Sequence, residues 1–141
     1  MMEKISSFQG NFRFLSNFYP AEVEFEGMIY PTVEHAYQAA KTLDFNERKR
    51  ISGAITPGMA KRMGRQLAIR KDWNNIKLEV MEKLVYKKFS SHKHLMLLLL
   101  DTKGKILEEG NNWKDRFWGV DEQGNGLNHL GKILMKVRGD L

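Results

Sequence analysis

Apolar and polar positions alternate most clearly in Val23-Glu24-Phe25-Glu26-Gly27-Met28-Ile29-Tyr30. That pattern around a glycine predicts a β-hairpin or a bent strand. Asn17-Phe18-Tyr19-Pro20 just before it reads as a turn. Pro31-Thr32 opens a helix, with Thr32 as N-cap and Glu34 in the first turn, where negative charge is favoured. This helix is expected to reach about Leu43. Thr56-Pro57 repeats the start signal for a helix carrying Met59 to Leu67. Helical spacing is best developed in Ile76, Val80, Met81, Leu84, Val85 and Tyr86, up to Phe89. Leu95 to Leu100 predicts a short helix, nearly all buried. Lys105 to Glu109 and Phe117 to Val120 predict short strands, and Leu130, Ile133, Leu134 and Val137 a last helix. The expected fold is α+β, a small, mostly antiparallel sheet packed with several helices. With 141 residues it is expected to form a single domain over 1–141, long enough for one core without staples.

Composition narrows the function. There is no cysteine, which removes disulfides, thiolate catalysis and Cys-type zinc sites. It also fits a cytoplasmic location. Four histidines supply a metal site poorly, and none is expected. The longest apolar run, Leu95 to Leu100, is six residues against the roughly 20 that a membrane helix needs. The N-terminus shows no stretch of signal-peptide length, so no membrane partner is expected. The net charge of +6 suits a phosphate-bearing partner and suits solubility equally well. Lys and Arg cluster at 48–50, 61–70 and 83–88, the last two reading first as solvated helix faces.

Two segments could carry chemistry. Gly10 to Tyr19 interleaves four aromatics with Arg13, Ser16 and Asn17. Such a pattern suits a nucleobase with its ribose or phosphate, but taken alone it reads first as a core strand with polar turn residues. In the helix from Thr32, Glu34 and Lys41 are seven residues apart and share a face, with Gln38 between them. They stand about 10 Å apart along the axis. The stripe of carboxylate, amide and amine could line a pocket or face solvent. Asp115 stands three residues before Trp118, which offers either a carboxylate beside an aromatic platform or a core Trp with a turn Asp.

Taken together the residues resemble the NADAR/YbiA-like family. The matching pieces are Phe14 to Pro20, Tyr30 to Ala39 with Lys41, Lys61 to Arg65, Trp73, Lys88-Phe89, Leu107-Glu108, Asp115 to Gly119, and Gly126 to Gly131 followed by Leu134-Met135 and Arg138. They run in the family's order over residues 12 to 138. One departure is Val120-Asp121 after Gly119, which implies a differently shaped loop over Asp121 to Gly126.

The resemblance implies an N-glycosidase that cleaves a ribosyl C1′–N bond. Two substrate classes follow from it: ADP-ribose on guanine, free or in nucleic acid, and ribosylaminopyrimidine phosphates of riboflavin synthesis. The first is favoured here. Carried over, Glu34 is the catalytic carboxylate, with Lys41 and Asp115 as catalytic partners. Substrate-binding residues would be Arg13, Phe14, Ser16, Asn17, Phe18, Gln38, Gly64, Arg65, Trp73, Trp118, Gly119 and Asn128. No cofactor and no metal is called for. A carboxylate can stabilise charge growing on the sugar or activate water. A lysine in a partly apolar pocket can attack the sugar carbon as a neutral amine. The competing readings are a non-catalytic ADP-ribose or nucleotide-binding module and a basic nucleic-acid-binding domain.

Overall fold

The computed structural model describes residues 3–141, which fall into two compact units: the segment up to Ser16 with His92–Leu141, and Asn17–Ser91.

In the unit Asn17–Ser91, strands β2 (Val23–Phe25) and β3 (Met28–Tyr30) pair antiparallel, after β1 of the other unit. Glu26 and Gly27 join them, both at positive φ (48° and 89°). That is the geometry a two-residue hairpin turn requires, and glycine adopts it without strain. Val23, Phe25 and Tyr30 face inward, while Glu24 and Ile29 face out.

Helix α1 (Val33–Ala39) is buried along its whole length. Thr32 caps it, its hydroxyl accepting from the His35 N–H at 3.1 Å. It ends four residues before the expected Leu43. The Lys41 N–H turns back to the Gln38 carbonyl, and the Lys41 carbonyl accepts from the Arg70 N–H at 2.8 Å. Thr42 and Asp44 then start α2 (Phe45–Ser52), which Asp44 caps. In sequence this stretch shows only the Arg48-Lys49-Arg50 charge cluster. Helix α2 buries only Ile51, too little for a periodic signal.

Helix α3 (Pro57–Arg65) starts as expected, with Thr56 as cap. Helix α4 (Trp73–Ser91) buries Trp73, Val80, Met81, Leu84, Val85 and Phe89. Lys88 corrects the reading of 83–88 as a solvated face: it is 1% exposed. It stands three and four residues after Val85 and Leu84, so the apolar stripe carries it inward.

In the other unit, β1 (Lys4–Ile5) pairs in parallel with β4 (Ile106–Leu107). The expected sheet is therefore divided into one antiparallel and one parallel pair. Gly10–Leu15 forms a 3-10 helix rather than a strand, with Phe14 and Leu15 buried and Arg13 exposed. Helix α5 (Lys93–Leu100) buries Leu95 and Leu99, but Leu97 and Leu98 are exposed, correcting the nearly all-buried expectation. Residues spaced by four share a face; adjacent ones cannot all point inward. Phe117 to Val120 forms no strand; only a Gly110–Val120 bridge remains. Helix α6 (His129–Asp140) packs on β4 through Gly131, where any Cβ would strike the Leu107 carbonyl. The α+β class of the sequence reading holds. No helix among the described residues is long and apolar enough to cross a membrane.

Candidate active site

Helix α1 sets the geometry in the unit Asn17–Ser91. Glu34 is in its first turn, and its N–H donates to the Asn17 carbonyl at 3.1 Å, which ties the Asn17-Phe18 segment to the helix start. One turn on, Gln38 Nε2 donates to Glu34 Oε2 at 2.6 Å, and both side chains are buried. Lys41 follows the helix end, its Nζ 5.6 Å from the centre of the Tyr37 ring. Trp73, the first residue of α4, packs at a tilt against that same Tyr37 ring, with centroids 5.1 Å apart. Burial pushes the Lys41 ammonium below the usual lysine range. Glu34 pulls it back, while Lys61, Arg65 and Lys77 lower it further. Helix α1 thus carries a buried carboxylate in its first turn and, just past its end, a desolvated amine beside the Tyr37 ring, which Trp73 also meets, with Lys61, Arg65 and Lys77 acting on the amine.

His35 does structural work on the same helix. Its Nε2–H donates to the Ala54 carbonyl at 2.9 Å, so Nδ1 accepts from the Thr32 hydroxyl at 2.8 Å. Among the described residues no group of three or more His, Asp and Glu could hold a metal.

A second basic group of this unit is Lys88 of α4. Lys88 Nζ lies 5.6 Å from the Tyr19 ring centre and 5.0 Å from that of Phe89. Burial lowers its pKa to about 7. Its signal in the sequence was a lysine in step with Met81, Leu84 and Val85.

The other unit holds Asp115, Trp118, Gly119 and Asn128 in one folded loop. Asp115 Oδ1 accepts from the Phe117 N–H at 3.0 Å and the Trp118 N–H at 2.9 Å. The carbonyls of Phe117 and Trp118 in turn accept from the His129 and Leu130 N–H groups at the start of α6. Helix-start donors are thereby satisfied by the loop itself. Trp118 meets Phe117 edge-on, with centroids 4.8 Å apart, and Phe117 packs on His129 at 4.6 Å. A Cβ on Gly119 would strike the Glu109 carbonyl, so this position requires glycine. Asn128, left-handed at φ 52°, is tied to the edge of β4 and the residues after it: Oδ1 accepts from the Glu109 N–H and Nδ2 donates to the Leu107 carbonyl, each at 3.0 Å. Asp121 accepts from the Gln123 and Asn125 N–H groups and closes the 121–126 turn. Of the remaining candidates, Ser16 ends the 3-10 helix, and Phe18 of the Asn17–Ser91 unit is 42% exposed.

Comparison with known proteins gives this geometry its context. The family model for the NADAR domain matches residues 6–141. The N-glycosidase YbiA of Escherichia coli (strain K12) is 40% identical over 129 residues, 89% of this chain and 79% of that protein. The chloroplastic riboflavin biosynthesis protein PYRR of Zea mays is 35% identical over 143 residues, 89% of this chain but 23% of that longer protein. The NMR structure of E. coli YbiA superposes with a TM-score of 0.86 and 35% identity, covering 99% of this chain and 86% of that one. A match over nearly every residue, in both sequence and fold, means that the chain belongs to the NADAR family.

Proposed function

We propose that this chain is an N-glycosidase that hydrolyses a ribosyl C1′–N bond, with ADP-ribose on guanine as its preferred substrate. Hydrolysis of an N-glycosyl bond is the activity for which its YbiA relatives are named. The observation that carries our reading is the pairing along α1: Glu34 in its first turn acts electrostatically on Lys41, just past its end, whose ammonium is already disfavoured by burial. Breaking the C1′–N bond builds positive charge on the sugar, which a nearby carboxylate stabilises. A lysine poised toward its neutral form can attack C1′ of the ring-opened sugar. The base leaves with a proton, and water hydrolyses the resulting imine. Glu34 shuttles the protons in this scheme. Without the imine, Glu34 activates the attacking water directly.

Lys61, Arg65 and Lys77 around Lys41 support a substrate with more than one phosphate, as ADP-ribose has. Trp73 supports a stacking role beside the sugar or base. From the family resemblance we assign a catalytic role to Asp115 and substrate-binding roles to Arg13, Phe14, Ser16, Trp118 and Asn128. The absence of cysteine suits a reducing cytoplasm.

A second reading is favoured by the riboflavin-biosynthesis names of the maize and Vibrio vulnificus relatives: cleavage of a ribosylaminopyrimidine phosphate. One paired assay separates the two. Release of ADP-ribose from ADP-ribosylated guanosine supports the first; release of ribose 5-phosphate from the pyrimidine compound, with none from the guanosine, replaces it. Binding of ADP-ribose without turnover of either leaves a binding module.

A further inference from the structure

We propose that Gln38 and Gly64 form a clamp that holds the Glu34 carboxylate in one orientation, so that Gln38 is a positioning residue rather than a substrate contact. This rests on the reading of Glu34 as the catalytic carboxylate. Three observations carry it. Gln38 is one helical turn from Glu34 and donates to Oε2 at 2.6 Å, inside the protein. The other end of the amide, Oε1, is buried and has no hydrogen-bond partner. Gly64 of α3 lies against that end: a Cβ built on it would collide with Oε1 and stand 2.7 Å from Cδ.

These facts interlock. Turning the amide over would set Oε1 against the carboxylate oxygen that now accepts from Nε2, so the bond to Glu34 dictates which end of the amide points at it. An unpartnered buried carbonyl is unfavourable and needs a compensating bond nearby. The short bond to Glu34 is that compensation. Gly64 lets the α3 backbone close over the amide, which removes the space into which Gln38 would otherwise swing. Gln38 thus has one donor on Glu34 and its remaining polar atom sealed against a helix.

The test uses Gln38→Met, which keeps length and volume but has no donor, and Gly64→Ala, which displaces the amide. Each is made alone and with Glu34→Gln. With the substrate that the wild type turns over, each single variant is expected to lose about tenfold or more in kcat. KM should stay within about twofold, and neither change should lower the rate of Glu34→Gln further. A rise in KM at unchanged kcat, or losses that multiply with that of Glu34→Gln, overturns the clamp.

A urea double-mutant cycle on Glu34→Ala and Gln38→Met needs no substrate. The two positions should couple by about tenfold or more in the unfolding equilibrium constant. Coupling without turnover of any ribosyl substrate upholds the clamp and overturns the glycosidase reading. Turnover without coupling overturns the clamp alone.

Discussion

Lys88→Met is the substitution whose consequence is fixed most directly by the fold. The Lys88 ammonium is buried, and its pKa falls from the ordinary 10.5 to about 7. Between those values the unfolded chain holds a proton that the folded chain has lost. Stability must therefore rise with pH across the window from 7 to 10.5 and be flat below it. The full effect is about 5 kcal/mol, taking 1.36 kcal/mol per pKa unit. Between pH 7.5 and 9.5 the wild type should gain about 2 to 3 kcal/mol from this one group.

Methionine has nothing to titrate and fits the same elongated space between Tyr19 and Phe89. Between pH 7.5 and pH 9.5 the stability of the variant relative to wild type should fall by that amount. Urea denaturation at both values measures the difference directly, and thermal melts should report about 6–10 °C of relative change. A wild-type-minus-variant difference that stays flat from pH 7.5 to 9.5 would show that Lys88 folds in charged, and the desolvation argument would be wrong.

Three further outcomes are expected. Glu34→Gln should fold, since an amide oxygen can still accept from Gln38 Nε2, but turnover should fall by at least about a hundredfold; near-wild-type turnover removes Glu34 from the mechanism. Lys41→Arg should abolish an adduct that borohydride traps on Lys41 during turnover, read by mass spectrometry. Trapping should increase as pH rises, with the rise starting below the ordinary lysine range, and normal turnover by Lys41→Arg leaves direct water attack as the route. Asp115→Ala should lower stability by about 0.5–2 kcal/mol, the usual loss when a side-chain acceptor for turn N–H groups is removed. Asp115→Asn should keep the fold and lose rate, and an Asn variant with full activity makes Asp115 a turn residue only.

The parts of the fold that were legible are those where local chemistry and burial agree. Thr32 and Thr56 both cap the helices they were expected to start, because a hydroxyl before the first helical turn satisfies donors whatever packs around it. Helix α4 was read from its stripe because one face is buried along most of its length. Helix α2 escaped because it rests on one buried residue, and charge gives no period. The 117–120 segment looked like a strand because Phe117, Trp118 and Val120 are β-formers. Its backbone groups go instead to Asp115 and to the start of α6, a commitment set by residues outside the window.

The site divides along the same line. Glu34, Gln38 and Lys41 lie within eight residues, so helical spacing alone could place them on one face, although α1 stops at Ala39 and a backbone bond from Arg70 fixes the direction of Lys41. Spacing could not say whether that face was wet or dry. The answer depends on α3 and α4, which lie 20 to 50 residues away and close over α1. Closure turns a polar stripe into chemistry: the same lysine in water would stay protonated, whereas burial disfavours its charge and leaves Glu34 as the group that restores it. Gly64 shows why the supporting residues are hardest to read. In sequence it is a small residue inside a basic helix; its meaning exists only because Gln38 occupies the space a side chain would need. Residues that bear chemistry announce themselves by type, and residues that hold them in place do so only by contact.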